Sequence, residues 1–235
     1  MQKVVHKADS RGGADHGWLK TRHSFSFADW YEPKRMGFGK LRVLNDDFVA
    51  PSSGFDPHPH REMEIVTIVT GGEVTHEDSA GNKGVTKAGD VQVMSAGTGV
   101  LHSERNASET ESLSLFQLWI ESKERGVAAR YDQHTFPKIQ QGIFELLVGP
   151  KGSGAPLWIY QDAYISRALF DRDLSLTYTL KGKNLGIYLF VISGQLLVSG
   201  ESLFERDALG VWETEEVRIT ATQRSEFLIL EVPMR

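Results

Sequence analysis

The chain has 235 residues, with 26 Lys+Arg against 31 Asp+Glu, a net charge of -5, and 40% hydrophobic and 10% aromatic residues. That balance belongs to an ordinary folded protein and leaves no basic run able to neutralise a phosphate backbone, which disfavours direct nucleic-acid binding. Cysteine is absent, so disulfides, iron–sulfur clusters, thiolate zinc sites and cysteine nucleophiles are excluded, and any metal must be held by nitrogen and oxygen donors.

The N-terminus, Met1 to Gly17, is polar and lacks the apolar core of a signal peptide, and no stretch approaches the ~20 apolar residues of a membrane span. The expectation is a cytoplasmic chain with no membrane partner, a monomer by default. Further on, the apolar segments are short, β-branched and separated by turn residues, which predicts an all-β sandwich or barrel. Strands are expected at Glu64–Thr70, Leu113–Ile120, Gly186–Ile192 and Phe227–Val232, with turns at Gly71-Gly72, Asp78–Asn82, Ala88–Asp90, Ser193-Gly194 and Ser199–Glu201. No long window carries a 3.6-residue apolar repeat, so helices should be few and short.

Val69–Thr75 followed by Ala88–Val93 has a weak counterpart in Val191–Val198 followed by Asp207–Trp212. Each copy reads as strand, glycine turn, strand, polar loop, strand. The repeat predicts two similar β-barrels in tandem, with a boundary between Glu121 and Pro156; we place it between residues 1–135 and 136–235.

The segment Asp56-Pro-His-Pro-His60 carries the sharpest chemistry. A proline pushes its predecessor out of the α region, so Pro57 and Pro59 hold Asp56 and His58 extended, and His58 and His60, two apart, share a face. Pro59 also removes a backbone donor, which suits an edge or irregular strand. His102-Ser-Glu104 repeats the spacing 42 residues later, after the turn Gly97-Thr-Gly99. Three imidazoles and a carboxylate suit a first-row divalent ion, Fe, Mn, Co, Ni, Cu or Zn. Glu64, four residues beyond His60, shares its face if the strand continues, and is then either a ligand or an acceptor that orients a histidine.

These residues resemble the cupin superfamily: His58, His60, Glu64 and Gly71 match its first motif, and Gly89, Gly97, His102 and Asn106 fit its second, although Ser95 stands where that motif has proline and the glycine-to-histidine spacing is two longer. Within it the chain resembles the pirin family, through His16–Leu19, His23–Phe27, Gly37-Phe38, Leu41–Asp46, Pro57–His60 and Ala96–Glu104, in that order. The resemblance covers most of residues 1–120 and is weaker beyond. It implies a bicupin whose N-terminal barrel holds one metal, Fe(II) first among the candidates, through His58, His60, His102 and Glu104, with Glu64 and Gln117 beside the ligands. The C-terminal barrel, with no histidine after His134, cannot repeat such a site.

Bacterial pirin-like proteins are associated with quercetin 2,3-dioxygenase activity, so the resemblance implies a flavonol and dioxygen as substrates, release of carbon monoxide, and Glu104 as the general base. A flat aromatic substrate needs apolar walls, and Trp18, Phe25, Phe27, Trp30, Tyr31, Phe38 and Phe55 are the candidates. His16 and His23 read as exposed or hydrogen-bonded, and His6, His76 and His134 as structural. Two rival readings follow from the same resemblance. One is a metal-dependent regulatory protein that binds another protein without turnover, since eukaryotic pirins resemble this chain and act as transcriptional cofactors; the other is a cupin enzyme acting on a different small molecule.

Overall fold

The computed structural model describes residues 1–235. It contains 22 strands and, at Ala8–Ser10, a single 3-10 turn. No helix is long and apolar enough to cross a membrane.

The strands form four sheets. One large sheet runs in the order β12 (Arg130–Thr135), β9 (Asp90–Ser95), β6 (Met63–Gly71), β11 (Leu113–Glu121), β4 (Leu41–Val49), β3 (Leu19–His23), β2 (Gly12–Asp15). It faces a small sheet ordered β5 (Gly54–His60), β10 (Val100–Asn106), β7 (Glu73–Asp78), β8 (Lys83–Lys87). A second large sheet runs β1 (Gln2–His6), β20 (Ala208–Trp212), β17 (Leu185–Ser193), β22 (Ser225–Pro233), β15 (Tyr164–Phe170), β13 (Phe144–Pro150), β14 (Leu157–Ile159). Its small partner is β16 (Ser175–Thr179), β21 (Glu216–Ala221), β18 (Gln195–Val198), β19 (Glu201–Phe204).

The two halves are the same barrel built twice. The core order β9-β6-β11-β4 becomes β20-β17-β22-β15, and β5-β10-β7-β8 becomes β16-β21-β18-β19. The four segments read as strands from sequence are β6, β11, β17 and β22, the central strands of the two large sheets. They read so clearly because a strand covered on both faces is apolar almost throughout. Beside β9 stands β12, but the equivalent place beside β20 is taken by β1, paired from Gln2 opposite Trp212 to His6 opposite Ala208. The first strand of the chain therefore completes the second barrel, across the boundary expected after residue 135.

Alternation along the large sheets sorts side chains into two cores. On β6, Val66 and Ile68 join Phe116, Leu118 and Ile120 of β11 and Leu228, Leu230 and Val232 of β22 in an apolar layer between the barrels. The second barrel's interior is filled by Leu189, Val191, Leu196, Leu209, Ile219, Phe227, Ile229 and their neighbours. At the corresponding heart of the first barrel lie Thr67, Gln92, Glu104 and Gln117, all buried. The middle of the first barrel is polar, with an apolar cluster of Leu19, Val49, Val69, Val74, Leu113 and Leu115 to one side, where the second barrel's interior is apolar.

Candidate metal centre

Strand β5 lies at the edge of its sheet and pairs only with β10, so the donors that Pro57 and Pro59 lack are not missed. The register sets His58 directly opposite His102 and Val100 opposite His60, with a bulge between His102 and Glu104. The loop before β10 turns at Gly97, whose φ is 48° and where a Cβ would collide with the Val127 carbonyl, so only glycine fits the turn that delivers His102.

The rings of His58, His60 and His102 have centroids 4.4 to 4.9 Å apart, and one nitrogen from each lies within 4.8 Å of the others. The Nδ1 of His58 is 2.8 Å from the Asp56 carbonyl oxygen. A carbonyl only accepts, so Nδ1 carries the proton and the Nε2 lone pair is left free. His60 Nε2 and His102 Nε2 are buried without a hydrogen-bond partner. Burial, and then the neighbouring imidazoles, push His60 down to about 4 and His102 down to about 2. Both rings are therefore neutral near pH 7, the form that binds a metal. Two orphaned buried lone pairs converging with a third are costly in an apo protein and satisfied by a cation, so these residues fit a transition metal.

Glu104 is fixed by three donors. Gln92 Nε2 reaches its Oε1 at 2.6 Å and Thr67 Oγ1 reaches the same oxygen at 3.2 Å, while Gln117 Nε2 reaches Oε2 at 2.6 Å. The Gln117 amide is itself oriented, because its Oε1 accepts from Trp119 Nε1 at 3.0 Å. An oxygen of Glu104 falls in a cluster with His102 and His76, distinct from the three-histidine cluster and sharing His102 with it. The two trios share only His102: the first holds the three expected histidines, and the second joins Glu104 to His102 together with His76, which the sequence did not single out as a ligand.

His76, assigned a structural role from sequence, is buried at the inward position of β7, stacked on Tyr131 with centroids 4.3 Å apart. Its Nδ1 lies 3.4 Å from His102 Nδ1 and its Nε2 lies 3.3 Å from Asp78 Oδ2. Burial works to raise the Asp78 carboxyl, but hydrogen bonds from Asn82, His76 and Ala80 outweigh it and hold the group below the usual carboxylate range. A carboxylate that only accepts fixes the order of protons: His76 donates from Nε2, so its Nδ1 accepts from His102 Nδ1–H, and the His102 Nε2 lone pair faces the cluster.

Glu64 does not join the site. Arg61 and Glu62, the latter at φ 52°, turn the chain between β5 and β6, so the face shared with His60 is not carried forward. Glu64 follows the parity of Val66 and Ile68, on the face toward the second barrel, where it accepts from Ser95 Oγ at 2.6 Å. Burial raises its carboxyl above the usual range.

A cleft of about 230 Å³ has Phe27, Trp30, Phe55, His16 and Gln117 among its walls; His58, His60, His102 and Glu104 do not line it, and Phe55, against His58, and Gln117, bonded to Glu104, connect it to them. Phe55 meets the His58 ring edge-on at 6.3 Å, and Phe27 packs on Trp119, which packs on His60. Trp18 supports Phe55 from behind at 5.3 Å. Trp30 can lie over β2 because residue 12 is glycine; a Cβ there would overlap the indole. Phe25 and Phe38, expected in the pocket, are instead buried between the barrels against Tyr188, because the chain after β3 swings toward the second barrel. Tyr31 is exposed. Of the remaining histidines, His134 is exposed, His6 meets the Tyr188 hydroxyl at 3.0 Å, and His23, contrary to the sequence reading, is buried with neither ring nitrogen paired.

Two barrels, one carrying convergent imidazoles on paired strands, define a bicupin with a candidate metal centre in its N-terminal half. Residues 4–120 match the family model described as Pirin, and residues 146–232 the one described as Quercetinase C-terminal cupin domain. The chain is 39% identical over 229 residues to the quercetin 2,3-dioxygenase of Escherichia coli K12, covering 97% of this chain and 98% of that one. It is 45% identical over 225 residues to the pirin-like protein of Caulobacter vibrioides, covering 95% and 96%. The crystal structure of the bacterial pirin YhhW from Escherichia coli in complex with nickel(II) superposes with a TM-score of 0.93 at 39% identity over 99% of each chain. The chain belongs to the pirin family.

Proposed function

We propose that this chain is a metal-dependent dioxygenase that cleaves flavonols such as quercetin, with Fe(II) held by His58, His60, His102 and Glu104. We assign the chemistry to the first barrel, which lies within residues 1–135, and a supporting role to the second, which residues 136–235 build together with β1. The observation that carries the reading is the convergence of three imidazole lone pairs, two of them buried and unpartnered, beside an aromatic cleft. Relatives named quercetin 2,3-dioxygenase support the substrate class.

When bound, the metal supplies positive charge that stabilises the deprotonated 3-oxygen of the flavonol. Glu104 accepts the 3-hydroxyl proton, and Gln92, Thr67 and Gln117 hold its carboxylate in position. Phe27, Trp30 and Phe55 cover the apolar faces of the substrate. The balanced reaction consumes one dioxygen per flavonol and yields one carbon monoxide and one phenolic ester. The test is to trap carbon monoxide while the Fe(II)-loaded protein consumes oxygen with quercetin. Equal amounts of the two gases are expected; oxygen consumption without carbon monoxide would overturn the reading.

A further inference from the structure

We propose that His23 and Asn45, with Asp47 beside them, form the specificity end of the cleft and bind a ring hydroxyl of an uncharged phenolic substrate, an inference that deepens the flavonol reading and rests on it. All three line the cleft at the end built by β3 and β4. His23 and Asn45 are each only 3% exposed, yet neither His23 ring nitrogen nor Asn45 Oδ1 has a hydrogen-bond partner. Buried polar atoms are nearly always paired, and a set left unpaired along one cleft wall marks a place where a ligand completes the bonds.

The chemistry of the wall selects the ligand. Burial, and then the charges of Arg11 and Arg22, hold His23 down to about 4, so its ring is neutral and offers one donor and one acceptor. Asn45 Oδ1 adds an acceptor. Asp47 is paired with the Thr21 hydroxyl, and burial pushes its carboxyl up to about 7. A hydroxyl, donor and acceptor at once, matches this set. A carboxylate or phosphate does not, since no lysine or arginine lines the cleft and Asp29 and Asp47 do.

Position and size complete the case. Gln117 belongs both to the cleft and to the Glu104 hydrogen-bond set, and Phe55 touches both the cleft and His58. Gln117 and Phe55 are thus the connection along which a substrate with its reacting oxygen at the histidines would place its far ring at the His23 end. The cleft's 230 Å³ is below the ~300 Å³ of a small complete site, enough for one ring system, with the rest of the molecule lying toward the histidines.

The test compares quercetin with 3-hydroxyflavone, which keeps the reacting hydroxyl and lacks the ring hydroxyls, in unmodified Fe(II)-loaded protein and in Asn45→Val and His23→Phe. Oxygen uptake gives kcat and KM, and fluorescence quenching gives affinity. The unmodified protein is expected to favour quercetin roughly tenfold or more, the equivalent of a neutral hydrogen bond. The variants should lose that preference through KM while keeping kcat on 3-hydroxyflavone. Turnover with no preference in the unmodified protein overturns the assignment and leaves the flavonol reading standing, even if a variant fails to fold. Equal losses on both substrates in the variants do the same. No turnover of either compound, with quercetin binding tenfold tighter and the difference abolished by Asn45→Val, overturns the dioxygenase reading and upholds the specificity end.

Discussion

Gln117 donates to Glu104 Oε2 at 2.6 Å while accepting from Trp119, whose indole packs on His60. One amide thus ties the carboxylate to the wall of the histidine cluster. Gln117→Leu, similar in size, leaves Trp119 Nε1 without an acceptor and Glu104 short of a donor. The expected result is a loss of about 1–3 kcal/mol in stability and a fall of roughly 10–100-fold in kcat, with metal content unchanged. Melting curves, metal analysis and oxygen-uptake kinetics on one preparation check it.

His76 touches His102 and Asp78 but is outside the three-histidine cluster. His76→Phe keeps the stacking surface for Tyr131 and removes the acceptor for His102 Nδ1–H. Metal affinity should fall roughly 10–100-fold, read by competitive titration with a chromophoric chelator. Unchanged affinity would show that the orientation of His102 is set by its strand alone.

Asp46 receives Arg11 at 3.2 Å and, from the second barrel, Arg206 at 3.0 Å; the Arg11 and Asp46 side chains are only 7% and 6% exposed. Asp46→Ala leaves two inter-barrel guanidinium groups uncompensated and should cost about 3–5 kcal/mol, a Tm fall of roughly 10 °C. Calorimetry checks it. Combining it with Arg11→Met should cost less than the single change, because the stranded charge is then removed.

Burial, with Arg35 nearby, holds His6 down from 6.5 to about 4. The unfolded chain then binds a proton between these values that the folded chain does not, so stability is full above pH 6.5, declines as pH falls toward 4, and declines no further through this group below it. His6→Phe should flatten the pH dependence of Tm across that interval. An identical slope in both proteins would assign the acid sensitivity to other groups.

Much of this was readable in the sequence because simple rules apply where the chain is regular. Doubly covered strands such as β6 and β22 are apolar runs, and two prolines hold His58 and His60 extended with their rings on one face. Glu64 leaves the face that simple alternation from His60 predicts, because the chain turns at residues 61 and 62. His76 and His23 carry a signal in the sequence: both fall on the inward positions of alternating strands, after Val74 and after Leu19 and Thr21. Phe25 and Phe38 differ from Phe27 only in which barrel face the loops present them to, and composition carries no information on that. The placement of β1 beside β20 is equally silent, since five residues have no pairing preference visible without the partner strand.

The most direct measurement is oxygen uptake by the Fe(II)-loaded protein with quercetin, run beside His102→Ala. Uptake by the unmodified protein is expected, with metal content and uptake both lost in the variant. Full metal content and undiminished uptake in His102→Ala would contradict the assignment of the site, and no uptake in either, with metal confirmed on the unmodified protein, would contradict the assignment of the activity.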